Sequence, residues 1–249
     1  MENFITHSCR RTGEHKIQKI PAGESILSYN VDLDLLMSDQ YCTFCSQFKY
    51  RDDLNLTQMI FGDDFSRILY EDEYFVIVPA LGQIVEGYLL IISKDHFNSL
   101  AELPGDMHER LINLKNKVSK VLSSQYSIPI FFEHGSFSAT ELGGGCINHA
   151  HLHAVPVDIG IEYTGLTELD PMSVEGIRYL WENRIVGPYI YFETIKHDAF
   201  YVNLRTKLPC QYIRRVIATK TGYQQNWDWR QYIGSEKIKN TILKLKDKF

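Results

Sequence analysis

Apolar residues run in short bursts through the middle of the chain, and their spacing predicts the elements. Residues 67–70 and 74–78 flank the acidic trio Glu71-Asp72-Glu73 and read as strand, turn, strand. Residues 87–92 form a third, nearly continuous apolar strand. In 106–125, Met107, Leu111, Leu114, Val118, Val121 and Leu122 recur at intervals of mostly three or four, which predicts an amphipathic helix packed on the sheet. A fourth strand is expected at 128–133, and a fifth follows a run of three glycines and ends at Val157. Beyond residue 160 the pattern predicts a helix at 173–182, strands at 189–195 and 199–203 around the turn Lys196-His197-Asp198, and helices at 211–219 and 236–246. A short helix at 32–37 is the strongest local signal near the start.

Strands, then a helix, then strands imply an α+β class with a mainly antiparallel sheet and a packed helix. The expected organisation is an N-terminal segment (1–40), a catalytic domain (41–160) and a C-terminal α/β extension (161–249) packed on it.

The fifth strand changes the picture from architecture to chemistry. His149, His151 and His153 occupy every second position, and on an extended backbone such side chains leave one face about 6–7 Å apart. Burying three adjacent imidazoles without partners costs free energy, so a purely structural role is a poor account of the spacing. A His-x-His metal centre is the rival, but it needs more ligands than the chain easily supplies and sits badly with the long helix at 106–125.

Of 249 residues, 44% are apolar, enough for a real core. The formal charge of -5 gives no global basic field, which argues against long nucleic acid as a partner; a polyanionic ligand would need local positive groups. No apolar run of about 18 residues suggests a membrane span, and Met1-Glu2-Asn3-Phe4 does not open a signal peptide, so a cytoplasmic protein is expected. Five cysteines with one close pair, Cys42 and Cys45, suit reduced thiols or a metal pair better than a disulfide framework.

The segment His149-Ala150-His151-Leu152-His153-Ala154-Val155 resembles the His-x-His-x-His-x-x motif of the histidine triad (HIT) superfamily of nucleotide hydrolases and transferases. Residues 86–96 resemble that family's strand ending in Pro-Lys-x-His, with Ser93 in place of the proline, and the likeness covers about residues 42–158. The chain departs from the family at Glu133-His134-Gly135, at Gly144-Gly145-Cys146, and at Pro79-Ala80-Leu81, where many members carry a ribose-binding aspartate.

The resemblance implies a HIT-like fold and a nucleotide substrate. It makes His151 the nucleophile that forms a nucleotidyl-histidine, His153 its partner at the phosphate or leaving-group oxygen, and His149 a supporting residue. Glu133 and His134 become candidate substrate contacts, and the amides of Gly144, Gly145 and Cys146 a candidate phosphate nest. Histidine rather than glutamine at position 153 favours hydrolysis. A nucleotidyltransferase or phosphorylase, or a non-catalytic nucleotide-binding or RNA-processing accessory module, are the alternatives. A structural zinc on Cys42, Cys45, His96 and His149 is also implied, and a homodimer is left open.

Overall fold

The computed structural model describes residues 42–50, 61, 66–136, 147–206 and 208–249. Its centre is one eight-stranded sheet in the order β1-β2-β3-β5-β4-β7-β8-β6. The strands are β1 (Tyr70–Glu71), β2 (Phe75–Pro79), β3 (Leu89–Ser93), β4 (Ile130–Gly135), β5 (His151–Val155), β6 (Met172–Val174), β7 (Tyr189–Glu193) and β8 (Ala199–Asn203). Every neighbouring pair is antiparallel. The chain is α+β, as its pattern predicts. The strands of the C-terminal third extend the same sheet, because β7 pairs with β4 over five residues.

Alternation sorts the strand side chains onto two cores. Phe75, Ile77, Leu89, Ile91, Phe131, Leu152 and Ala154 face helix α1 (Gly105–Gln125), which buries Met107, Leu111, Leu114, Val118 and Leu122 against them. Val76, Val78, Leu90, Ile92, Phe132 and Val155 face the other way, toward Phe44, Phe48 and two residues of a C-terminal helix, Ile213 and Ile217. Covering on both faces explains why 87–92 is continuously apolar rather than alternating.

The expected helix at 173–182 is mostly absent. Met172–Val174 instead pairs with β8, and only α2 (Tyr179–Glu182) is helical. Gly176 lies between them at φ +101°, a conformation no α-helix contains. The two later helices are α3 (Tyr212–Lys220) and α4 (Ser235–Leu245), close to expectation. The expected helix at 32–37 lies outside the described residues. Among the described residues no helix is long and apolar enough to cross a membrane.

Candidate active site and metal centre

Strand β5 lies between β3 and β4, and register fixes which side chains meet. His151 pairs with Ile92, and His153 pairs with Leu90 on one side and Phe132 on the other. Directly paired residues share a face, so His151 and His153 point away from α1. Both rings are buried, 4.7 Å apart between centroids.

Each ring is fixed through Nδ1. His151 Nδ1 lies 2.5 Å from the carbonyl oxygen of His149. A carbonyl only accepts, so Nδ1 carries the proton and Nε2 keeps its lone pair. His153 Nδ1 lies 2.7 Å from Tyr88 Oη, and its ring stacks on Phe132 at 4.3 Å. Tyr88 is fully buried, and this nitrogen is the acceptor its hydroxyl has among the described residues. The hydroxyl therefore donates, which makes Nε2 of His153 an N–H donor. Burial lowers His151 to about 4 and pushes His153 well below the usual histidine range, so both imidazoles are neutral at pH 7.

His149 is turned to a different task. Its Nε2 donates to the Ser93 carbonyl at 2.7 Å, leaving Nδ1 free of a proton and 3.3 Å from Cys42 Sγ and 3.6 Å from Cys45 Sγ. His96 Nδ1 is 3.4 Å from Cys45 Sγ, and the ligating atoms of all four residues lie within 4.8 Å of one another. Tetrahedral zinc, with bonds of about 2.3 Å to sulfur and 2.0–2.1 Å to nitrogen, sets a sulfur–nitrogen edge of about 3.6 Å. The observed separations match that edge. The hydrogen bond from Cys45, helped by His149 against burial, holds the Cys42 thiol down at about 3, a thiolate ready to ligate. Phe44, inside the Cys-x-x-Cys turn, sets its ring edge-on to both His149 (5.6 Å) and His151 (5.3 Å), so the cluster braces the triad.

His151 and His153 open on a cavity that the C-terminal third helps to line through Gln211, Arg214 and Trp229. Arg67 and His134 line it as well. Arg67 is buried, with Nη1 on the Pro79 carbonyl and Nη2 on Gln47 Oε1, both at 2.6 Å, and burial lowers it to about 9. His134 Nε2 accepts the Ile213 amide at 3.3 Å, and burial first, then His151 and Arg214, depress it to about 3. Sequence reasoning missed Tyr88 and Arg67. Arg214 carried a signal: it shares a helix stripe with Ile217 and Ala218, three and four residues on, where a solvated arginine would not stand.

The structure brings His134 to this cavity but not Glu133. Strand alternation turns Glu133 to the α1 side, where Oε1 accepts the Leu100 amide at 2.8 Å and Oε2 accepts the Tyr189 hydroxyl. Burial raises its carboxyl to about 8, opposed by those two donors. The substrate contact expected of Glu133 is thus replaced by a structural tie. Glu133→Ala should lower stability by about 1–3 kcal/mol, because it leaves the Leu100 amide and the Tyr189 hydroxyl without their acceptor. Thermal melting and kinetics below the transition check this; a KM rise with unchanged melting would restore the substrate role. Gly144, Gly145 and Cys146 lie outside the described residues. Cys42 and Cys45 form no disulfide, whereas Cys210 is disulfide-bonded, against the expectation of reduced thiols.

Residues 56–165 match the family described as scavenger mRNA decapping enzyme C-term binding. Protein hit of Bacillus subtilis (strain 168) is 24% identical over 99 residues, covering 40% of this chain and 67% of that protein. An uncharacterized HIT-like protein of Borreliella burgdorferi is 27% identical over 89 residues, covering 35% of this chain and 63% of that relative, so the match spans under two thirds of its length. Among solved structures, a zinc-bound histidine triad family protein from Mycobacterium smegmatis is similar with a TM-score of 0.36 and 20% identity, covering 50% of this chain and 81% of that one. A hypothetical histidine triad nucleotide-binding protein from Sulfolobus tokodaii is similar with a TM-score of 0.36 and 19% identity, covering 83% and 97%.

Proposed function

Because the chain belongs to the histidine triad superfamily, we propose that it is a nucleotide hydrolase cleaving at an α-phosphate through a covalent intermediate on His151. The observation that carries this reading is the 2.5 Å contact between His151 Nδ1 and the His149 carbonyl, which leaves Nε2 as an unprotonated nucleophile at the cavity wall. Nε2 attacks the α-phosphorus, the bond to the leaving group breaks, and water then displaces the histidine. His153, neutral and with Nε2–H directed by Tyr88, donates a hydrogen bond to an oxygen on which negative charge grows.

Cys42, Cys45, His96 and His149 would hold a zinc ion in this reading. The ion would cross-link the Cys-x-x-Cys turn to the catalytic strand and leave water activation to the histidines. The Ser93 carbonyl would fix the His149 tautomer that ligates.

The match at residues 56–165 brings capped ends among the substrates to test, beside dinucleoside polyphosphates. Single-turnover mixing with α-phosphate-labelled cap dinucleotide and diadenosine polyphosphate, followed by alkaline quench and peptide mapping, should place the label on His151. Turnover with no labelled histidine would sink the covalent mechanism. Label that passes to added phosphate or sugar phosphate faster than to water would make the protein a transferase.

A further inference from the structure

We propose that Arg214, from the C-terminal third, is the anion-binding group for the leaving side of the substrate, and that the substrate is therefore a phosphoric anhydride rather than a phosphoramidate. The inference rests on the hydrolase reading for its chemistry and on the cavity for its geometry.

Arg214 is 4% exposed yet lines the cavity with His151 and His153. Neutral acceptors hold it on one side: Nη2 donates to the Gly82 carbonyl at 2.6 Å, and Nε to the Trp227 carbonyl at 2.9 Å and Gln211 Oε1 at 3.0 Å. The guanidinium stands 5.2 Å above the Tyr88 ring and opposes the burial that raises its hydroxyl, the same hydroxyl that serves His153. No described residue lining the cavity is a carboxylate that could pair with Arg214. A buried guanidinium without a counter-charge is costly, and the arrangement becomes favourable when an anion enters.

The same geometry selects the leaving group. His153 is a neutral imidazole whose Nδ1 is occupied by Tyr88, so its Nε2–H can donate a hydrogen bond but is not a spare proton. As the Nε2–P bond to His151 forms, the P–O bond to the bridging oxygen breaks and the electron pair stays on that oxygen. A phosphate leaves as a stable oxyanion paired with Arg214. An amine leaving from a phosphoramidate would need a proton that the cavity does not supply. In the second step water oxygen bonds to phosphorus, the N–P bond breaks with its pair returning to Nε2, and the water proton passes to solvent.

Calorimetry with inorganic pyrophosphate as the probe, on the non-turning-over His151→Ala protein, tests the anion site without turnover. Adding Arg214→Gln should weaken binding at least tenfold, with Arg214→Lys between, since an ammonium keeps the charge but not the fork. In otherwise wild-type protein, Arg214→Gln should lower kcat/KM at least tenfold more for an adenosine anhydride than for adenosine phosphoramidate. Should the glutamine variant not fold, the lysine variant is read in the same two assays. Equal losses on both substrates, or pyrophosphate affinity indifferent to Arg214, overturn the proposal while leaving the hydrolase reading intact. Arg214-dependent pyrophosphate binding in a protein that turns over neither substrate keeps the anion site and removes the hydrolase reading.

Discussion

His151→Ala is expected to reduce nucleotide turnover by about 10⁴-fold or more, since removing a covalent nucleophile leaves only binding and electrostatic stabilisation. The fold should survive. The substitution deletes one hydrogen bond, from Nδ1 to the His149 carbonyl, and ring contacts with Phe44 and His153, but leaves the β5 backbone paired on both sides. That is worth on the order of 1–2 kcal/mol, or about 2–8 °C in a chain of this size. Steady-state kinetics with circular dichroism melting separates the two effects. A variant that turns over at the wild-type rate, with its melting temperature intact, would remove His151 from the chemistry.

Loss of the metal cluster should act in the opposite proportion, heavily on stability and less on the chemical step. Purified protein is expected to contain about one zinc per chain. Cys42→Ser should abolish it and cost on the order of 3 kcal/mol, a fall in melting temperature of about 6–12 °C. Activity should fall too, because Phe44 rests edge-on against both His149 and His151 and moves with the Cys-x-x-Cys turn. Elemental analysis, melting with and without chelator, and kcat at a temperature where both proteins are folded decide the matter. Zinc-free protein that melts as the wild type does would refute the assignment.

The triad and the Cys-x-x-Cys pair were legible because their spacing is local. A period of two puts His151 and His153 on one strand face, with His149 in the bend just before the strand. Strands β2, β3 and β7 and helix α1 were legible for the same reason, their apolar period being strong and uninterrupted. What stayed hidden depends on contacts between distant segments. The choice between Glu133 and His134 turns on the pairing of Phe132 with His153, which puts even-numbered positions of β4 on the histidine side. At 173–182 the helical spacing was outweighed by Gly176 and by the open edge of β8, a partner no local window contains. The stripe that Arg214 shares with Ile217 and Ala218 points to burial, but nothing near it in sequence reveals that Gly82, 132 residues away, offers its carbonyl.

The histidine-bearing strand β5 is fourth in a sheet of eight, with three strands on one side and four on the other. Opening of the outermost strands, two and three residues long, breaks few hydrogen bonds and leaves the histidine registers untouched. Amide hydrogens of β5 should therefore exchange only through global unfolding, and thermal inactivation should track that event rather than any earlier loosening of the periphery.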